Sequence, residues 1–286
     1  MEVLVQGALT SATIALVALG FSLVYGVGGI VNLAHGSFFM IGAYGAVAAD
    51  DAGATALVAA VTGVACAVVA GVLLDRLVIR PIRHQEVALL IATLAVAILV
   101  QSLTDFFFKT ADRQLPGFVH GAVTLLGVKV QSSRALAGAV AAVVILGVLL
   151  VLHRTPAGRM VRAVAEDSEA AVLVGARPER VTLYVIAIGA GLAGLAGVMV
   201  APSTVVNPSM WLLPLTQAFA IVILGGLGSV GGTVLAAFVV GFLDRFVAYQ
   251  VPDGEVKVGL VTIVVILATL VVRPYGLLGK PSGAHR

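Results

Sequence analysis

Long apolar blocks separated by short charged clusters make up almost the whole chain. Residues 3–49, 52–74, 87–104, 135–153, 181–243 and 258–272 contain no Asp, Glu, Lys or Arg. A helical membrane span needs about 20 apolar residues, so most of these runs hold one span and the two longest hold more, about eight or nine in all. The runs are continuous rather than alternating with period two, and lipid offers the backbone no hydrogen-bond partner, so the spans are helices and not barrel strands. The expected fold class is therefore all-α, a polytopic transmembrane helical bundle formed by a single domain over 1–286.

The pattern predicts helices at about 7–25, 54–75, 87–106, 135–152, 179–201, 233–250 and 256–272, with two glycine-broken regions near 26–36 and 225–232. Gly26, Gly28 and Gly29 form the first cluster; Gly225, Gly226, Gly228, Gly231 and Gly232 form the second. Each glycine costs a helix about 1 kcal/mol relative to alanine, so such clusters mark breaks. The apolar piece after His35 is about 14 residues, too short for a hydrocarbon core of about 30 Å unless residues 32–36 also lie at membrane depth. The second cluster follows an apolar piece of similar shortness, and the shared pattern fits either an internal repeat or two ordinary turns. Residues 109–134 mix both charge signs around Pro116 and a β-like patch at 123–130, the composition of an external loop. In the connection after the 179–201 helix, Trp211 is expected to anchor at the membrane interface.

With 60% hydrophobic and 11% charged residues, the chain lies far outside soluble norms, and its mean hydropathy is +1.12. The net charge of +3 is distributed in a way that speaks for topology and against nucleic-acid binding. Arg76, Arg80 and Arg83 form one cluster, five arginines fall within 154–180, and Arg273, Lys280 and Arg286 form a third. Basic clusters mark cytoplasmic loops, which puts the N-terminus outside and the C-terminus in the cytoplasm. Glu2 precedes the first apolar run where a signal peptide would be positive, so this run reads as a retained helix. Cys66 has no second cysteine to pair with.

No zinc-protease HExxH, phosphate-loop lysine or GxSxG nucleophile is present, and no metal-ligand spacing stands out. Polar residues inside the uncharged runs are candidates for a translocation pathway, because polar groups at membrane depth face the bundle interior or a cavity. Asn32, His35, Ser37 and Tyr44 flank the first break, while Thr93, Gln101, Thr216 and Gln217 lie in later spans. Their bland alternative is back-bonding to their own helix, or, for His35, a neutral ring bonded to backbone. Asp105 and the Asp244, Arg245 pair are expected at the interfaces.

The polar island 154–180 carries five arginines and four carboxylates, and the 63 residues after it carry no charge. Within it, Glu169, Ala170, Ala171 and Gly175 spell E-A-A-x-x-x-G. Ser168 can cap a short helix, Glu169 favours its positive end, and Gly175 can close it in the left-handed conformation. Apolar Ala171, Val172 and Val174 are then available to a partner groove. The alternative is a solvated connector.

This motif resembles the loop that ABC import permeases present to their ATPases, although the Ile-x-Leu-Pro continuation of some members is replaced by VIAI at 185–188. LVYGVGGIVNLAHGSFFMIGAY at 23–44, RMVRAVAEDSEAAVLVG at 159–175, AFAIVILGGLGSVGGTVLAAFVVG at 218–241 and RPYGLLG at 273–279 resemble branched-chain amino acid permeases of the LivH type, in order and nearly end to end. The resemblance implies a non-catalytic permease subunit of an ABC importer in the inner membrane, carrying no cofactor of its own. Its partners would be a second homologous permease, two cytoplasmic ATPases holding ATP and Mg, an extracytoplasmic substrate-binding protein and membrane lipid. The substrate would be a branched-chain or other apolar amino acid, with urea and short amides open within the same class. A self-sufficient channel or secondary transporter is the rival from another class, and an intramembrane enzyme a third.

Overall fold

A computed structural model describes residues 1–109, 112–119, 121–251, 259, 263–264, 268–269, 271 and 276–278. The expected last span at 256–272, the turn before it and the basic tail with its RPYGLLG motif lie outside the described residues, apart from those isolated positions.

Among the described residues the chain is helical, with one small hairpin. Its helices are α1 (Glu2–Gly28), α2 (His35–Asp51), α3 (Ala56–Leu74), α4 (Arg80–Ile82), α5 (Glu86–Phe108), α6 (Ser132–Arg154), α7 (Pro156–Glu166), α8 (Ser168–Leu173), α9 (Pro178–Val200), α10 (Leu212–Gly225) and α11 (Val230–Gln250). A π-helical turn, Asp75–Ile79, joins α3 to α4. Among the described residues, six helical stretches are long and apolar enough to cross a membrane: α1, α3 with its extension, α5, α6, α9 and α11. One more apolar helix, α10, is shorter at 14 residues, and α2 has 17.

The helical expectation holds among the described residues apart from one small hairpin. Strands β1 (Ala122–Leu125) and β2 (Val128–Gln131) pair antiparallel across a two-residue turn, Leu126 and Gly127, both at positive φ. That is the turn geometry whose twist matches paired strands. The hairpin occupies the β-like patch, and α6 begins at Ser132, inside the stretch expected as loop.

α1 is the centre of the bundle, packed against α11, α9, α6 and α10. Of its span, 72% is buried inside the protein, against 17% for α5 at the periphery. α2, α3 and α9 pack by small residues: a Cβ at Gly42 or Gly63 would strike the backbone of the neighbouring helix. Without a hydrophobic drive between helices in lipid, such close backbone approach supplies the van der Waals contact that holds them.

α2 starts in the middle of the bundle rather than at its edge. Gly29, at φ 63°, closes α1 with its N–H donating to the Tyr25 carbonyl, and the chain doubles back. Rising about 3.3 Å per residue at most, 29–34 can regain about 20 Å. The stretch of α1 from Val17 to Gly28 is about 16 Å long at 1.5 Å per residue. His35 accordingly lies level with Val17, and its Nε2 is 3.0 Å from the Val17 carbonyl oxygen. Gly26 and Gly28 are still helical, so the break is at Gly29. The second break is a plain turn over 226–229: Gly225 ends α10, while Gly231 and Gly232 belong to the first turn of α11, capped by Ser229.

The bundle has two distinct ends. At one, Arg113 donates to Asp51 at 2.9 Å and exchanges two backbone hydrogen bonds with Val206, pinning the 112–119 segment to the connection after α9. At the other, Arg80 and Arg83 both meet Glu179 at the start of α9, next to α7 and α8.

Candidate functional site

Three regions collect the polar residues, and they stack along α1. The first is the start of α2. Asn32, His35 and Ser37 are at most 1% exposed, and Tyr44 is buried about two turns further on. Asn32 Oδ1 accepts from the Ala34 N–H, and Thr93 Oγ1 accepts from the Leu33 N–H, so both hold the irregular strand that precedes α2. Asn32 Nδ2, His35 Nδ1, Ser37 Oγ and the Tyr44 hydroxyl have no hydrogen-bond partner among the described residues. The His35 ring meets Phe21 and Phe38 edge to face, and Phe21 meets Phe219 likewise. Sequence reasoning singled out the four polar residues; the aromatic layer around His35 shows only in three dimensions.

Above this layer, toward the Asp51 end, lies a cavity of about 600 Å³ whose floor includes Val17 and Phe39. It is bounded by α1, α6, α9, α10 and α11, and by the turn after α9. Gln217 donates from Nε2 to Asp244 Oδ2 at 2.9 Å on its wall. Asp244 is 2% exposed, so it is a core residue and not the interfacial one expected. The physical signal missed was the spacing: Asp244 sits some two turns inside the end of α11, on the same face as Gly241 and Val240, which pack inward.

One further expectation fails here. Trp211 is 5% exposed and donates its indole N–H to Gln101 Oε1 at 2.7 Å, fastening α10 to α5 instead of anchoring at lipid. Thr216 is exposed and its hydroxyl bonds back to Leu213, so only Gln217 of that pair faces the cavity.

Below the aromatic layer, a wider recess of about 1220 Å³ brings both glycine breaks together with the island. Gly26 and Gly228 are in backbone contact, since a Cβ on Gly26 would lie 3.2 Å from the Gly228 Cα. Arg162, Glu166, Asp167, Ser168 and Glu169 line the same recess.

The island itself is two helices. Thr155 caps α7, its hydroxyl accepting from Gly158 N–H. Asp167, and not Ser168, caps α8: its carboxylate accepts from the N–H groups of Glu169 and Ala170, each at 2.9 Å. Ser168 is the first helical residue. The helix ends at Leu173 and Gly175 follows at φ 87°, where a side chain would be strained. Ala171 is 3% exposed and packs inward, so it is not available to a partner. Val172, Val174 and Leu173, which the motif did not single out, are 54%, 77% and 88% exposed. Glu169 and Ala170 are exposed as well.

Apolar crossings around a glycine-packed core, with a recess toward each end and an aromatic layer between them, define the class: a multi-pass membrane permease. The chain belongs to the family described as branched-chain amino acid transport system, permease component, whose model matches residues 3–270. It is 31% identical to the high-affinity branched-chain amino acid transport system permease protein BraD of Pseudomonas aeruginosa, over 99% of this chain and 96% of that one. It is 28% identical, with the same shares covered, to the corresponding permease protein LivH of Escherichia coli K12. Among solved structures it resembles a chain of PsaBC from Streptococcus pneumoniae in complex with Fab, with a TM-score of 0.53 and 14% identity over 96% of this chain and 93% of that chain. That likeness concerns the fold. Membership of the family and the apolar helices make this an inner-membrane protein.

Proposed function

We propose that this chain is the membrane-spanning subunit of an ABC importer, translocating branched-chain or other apolar amino acids handed over by an extracytoplasmic binding protein. Two cytoplasmic ATPases, holding ATP and Mg, power it, and a second homologous permease completes the membrane core. The chain works as one transmembrane unit without a cofactor of its own. The island end is cytoplasmic, because the arginines of 76–83 and 154–180 gather there, and the N-terminus is outside.

The observation that carries the ATPase part of this reading is α8. A helix of six residues with Leu173, Val172 and Val174 turned to solvent, in a loop otherwise rich in charge, has the form of an anchor for a partner's groove. α8 packs on α7, which packs on α1, and its recess opens onto Gly26 and Gly228, so a push on α8 reaches α1 through α7, as rigid-body coupling requires. The exposed residues Val172, Leu173, Val174 and Glu169 contact the ATPase; Gly175 and Asp167 keep their helix in shape.

Co-purification tests this. Leu173→Asp is expected to lower recovery of the ATPase with the tagged permease at least tenfold while membrane insertion is unchanged. Undiminished recovery would sink the role of α8, and amino-acid uptake that persists without ATP would favour the self-sufficient transporter.

A further inference from the structure

The charged residues of the 600 Å³ cavity have no place in the coupling scheme. Arg134 comes from α6, Asp244 and Arg245 from α11 and Gln217 from α10, and all four line the one cavity. Across the apolar runs of this chain, charges are rare, and a carboxylate at membrane depth is costly unless it is compensated. Here, among the described residues, three charges from two helices converge on one half-open space. Arg134 is held by Gln6, whose Oε1 accepts from Nη1 at 3.1 Å. Gln217 holds Asp244. Arg245 Nε and Ser203 Oγ, both buried atoms, have no hydrogen-bond partner among the described residues. Much of the remaining lining is apolar, including Leu9, Ile14, Phe39, Met199 and Leu213.

We infer that this cavity is a binding site for a zwitterion with an apolar side chain, in which Arg245 and Arg134 face the carboxylate, Asp244 faces the ammonium group, and the apolar wall receives the side chain. Both signs of charge beside an apolar wall match the two ends and the body of such a molecule, whereas a neutral amide needs neither charge. An anion would be repelled by Asp244 and a cation by two arginines. The volume exceeds that of one small amino acid, leaving room for the water that such a ligand carries. The floor at Val17, whose carbonyl oxygen is 3.0 Å from His35 Nε2, places the aromatic layer beneath the ligand. The inference rests on the amino-acid reading above and adds the site that this reading lacks.

The test uses the complete transporter in proteoliposomes with its leucine-loaded binding protein. Arg245→Gln and Asp244→Asn are each expected to lower leucine uptake at least tenfold, with co-purification of the partners and elution volume retained. Arg245 is partly exposed, so its variant keeps the test open if Asp244→Asn does not fold. A second measurement follows binding to the detergent-purified transporter without binding protein. The wild type should bind leucine at least tenfold more tightly than 3-methylbutylamine or 4-methylpentanoate; Asp244→Asn should erase the preference over the acid, and Arg245→Gln the preference over the amine. Wild-type leucine uptake matched by that of Arg245→Gln would overturn the site while leaving the importer intact. Wild-type transport of short amides and not of leucine would remove both.

Discussion

The two glycine breaks look alike in sequence and differ in structure. After Gly29 the chain climbs back into the bundle as an irregular strand and starts α2 at mid-depth, whereas 226–229 makes a compact turn and α11 sets off at once. The residues that follow account for the difference. Asn32 supplies a side-chain oxygen for the Ala34 N–H, and Thr93 one for Leu33, so a non-helical strand can be buried with those N–H groups satisfied. Ser229 instead accepts from the Gly232 N–H and starts a helix immediately. Glycine permits a break; the neighbouring hydrogen-bonding groups decide its form.

Substitutions along both breaks can disrupt or sharpen this contrast, read as thermal stability of the purified protein in detergent. Gly232→Ala is expected to be the most damaging, on the order of 3 kcal/mol, because its Cβ would overlap the Gly225 carbonyl, which is backbone and cannot swing aside. His35→Ala should cost about 2 kcal/mol by opening a void among Phe21, Phe38 and Val17. Gly29→Ala meets nothing within 4 Å and should cost only about 1 kcal/mol, the penalty of a left-handed residue. Gly231→Ala, helical and in open space, should stabilise by up to about 1 kcal/mol. If Gly231→Ala proved as harmful as Gly232→Ala, the packing account of the second break would be wrong; a neutral Gly29→Ala would remove the turn-back account of the first.

The same contrast runs through the site. Val172, Val174 and the left-handed Gly175 were readable from spacing alone, because a helix of six residues is governed by its own cap and stop. Its true cap, Asp167, was missed in favour of Ser168: both residue types cap helices, and the choice follows the backbone, which is extended at Asp167. Ala171 turned inward because α8 packs on its neighbours, a fact no local rule contains.

What the chain determined by itself is the part set by local chemistry. The apolar runs, with lipid denying the backbone other partners, dictated helices; the glycine clusters dictated where helices stop; the arginines divided the loops into two kinds. What only the tertiary structure decided is which polar groups share a space. Trp211 with Gln101 and Gln217 with Asp244 are pairs separated by 110 and 27 positions, joined because the start of α10 meets α5 through Trp211 while its body packs on α11. Asp244 looked interfacial for a simple reason. Distance from a helix end is legible in a sequence, but the compensation that makes a buried carboxylate tolerable comes from other helices.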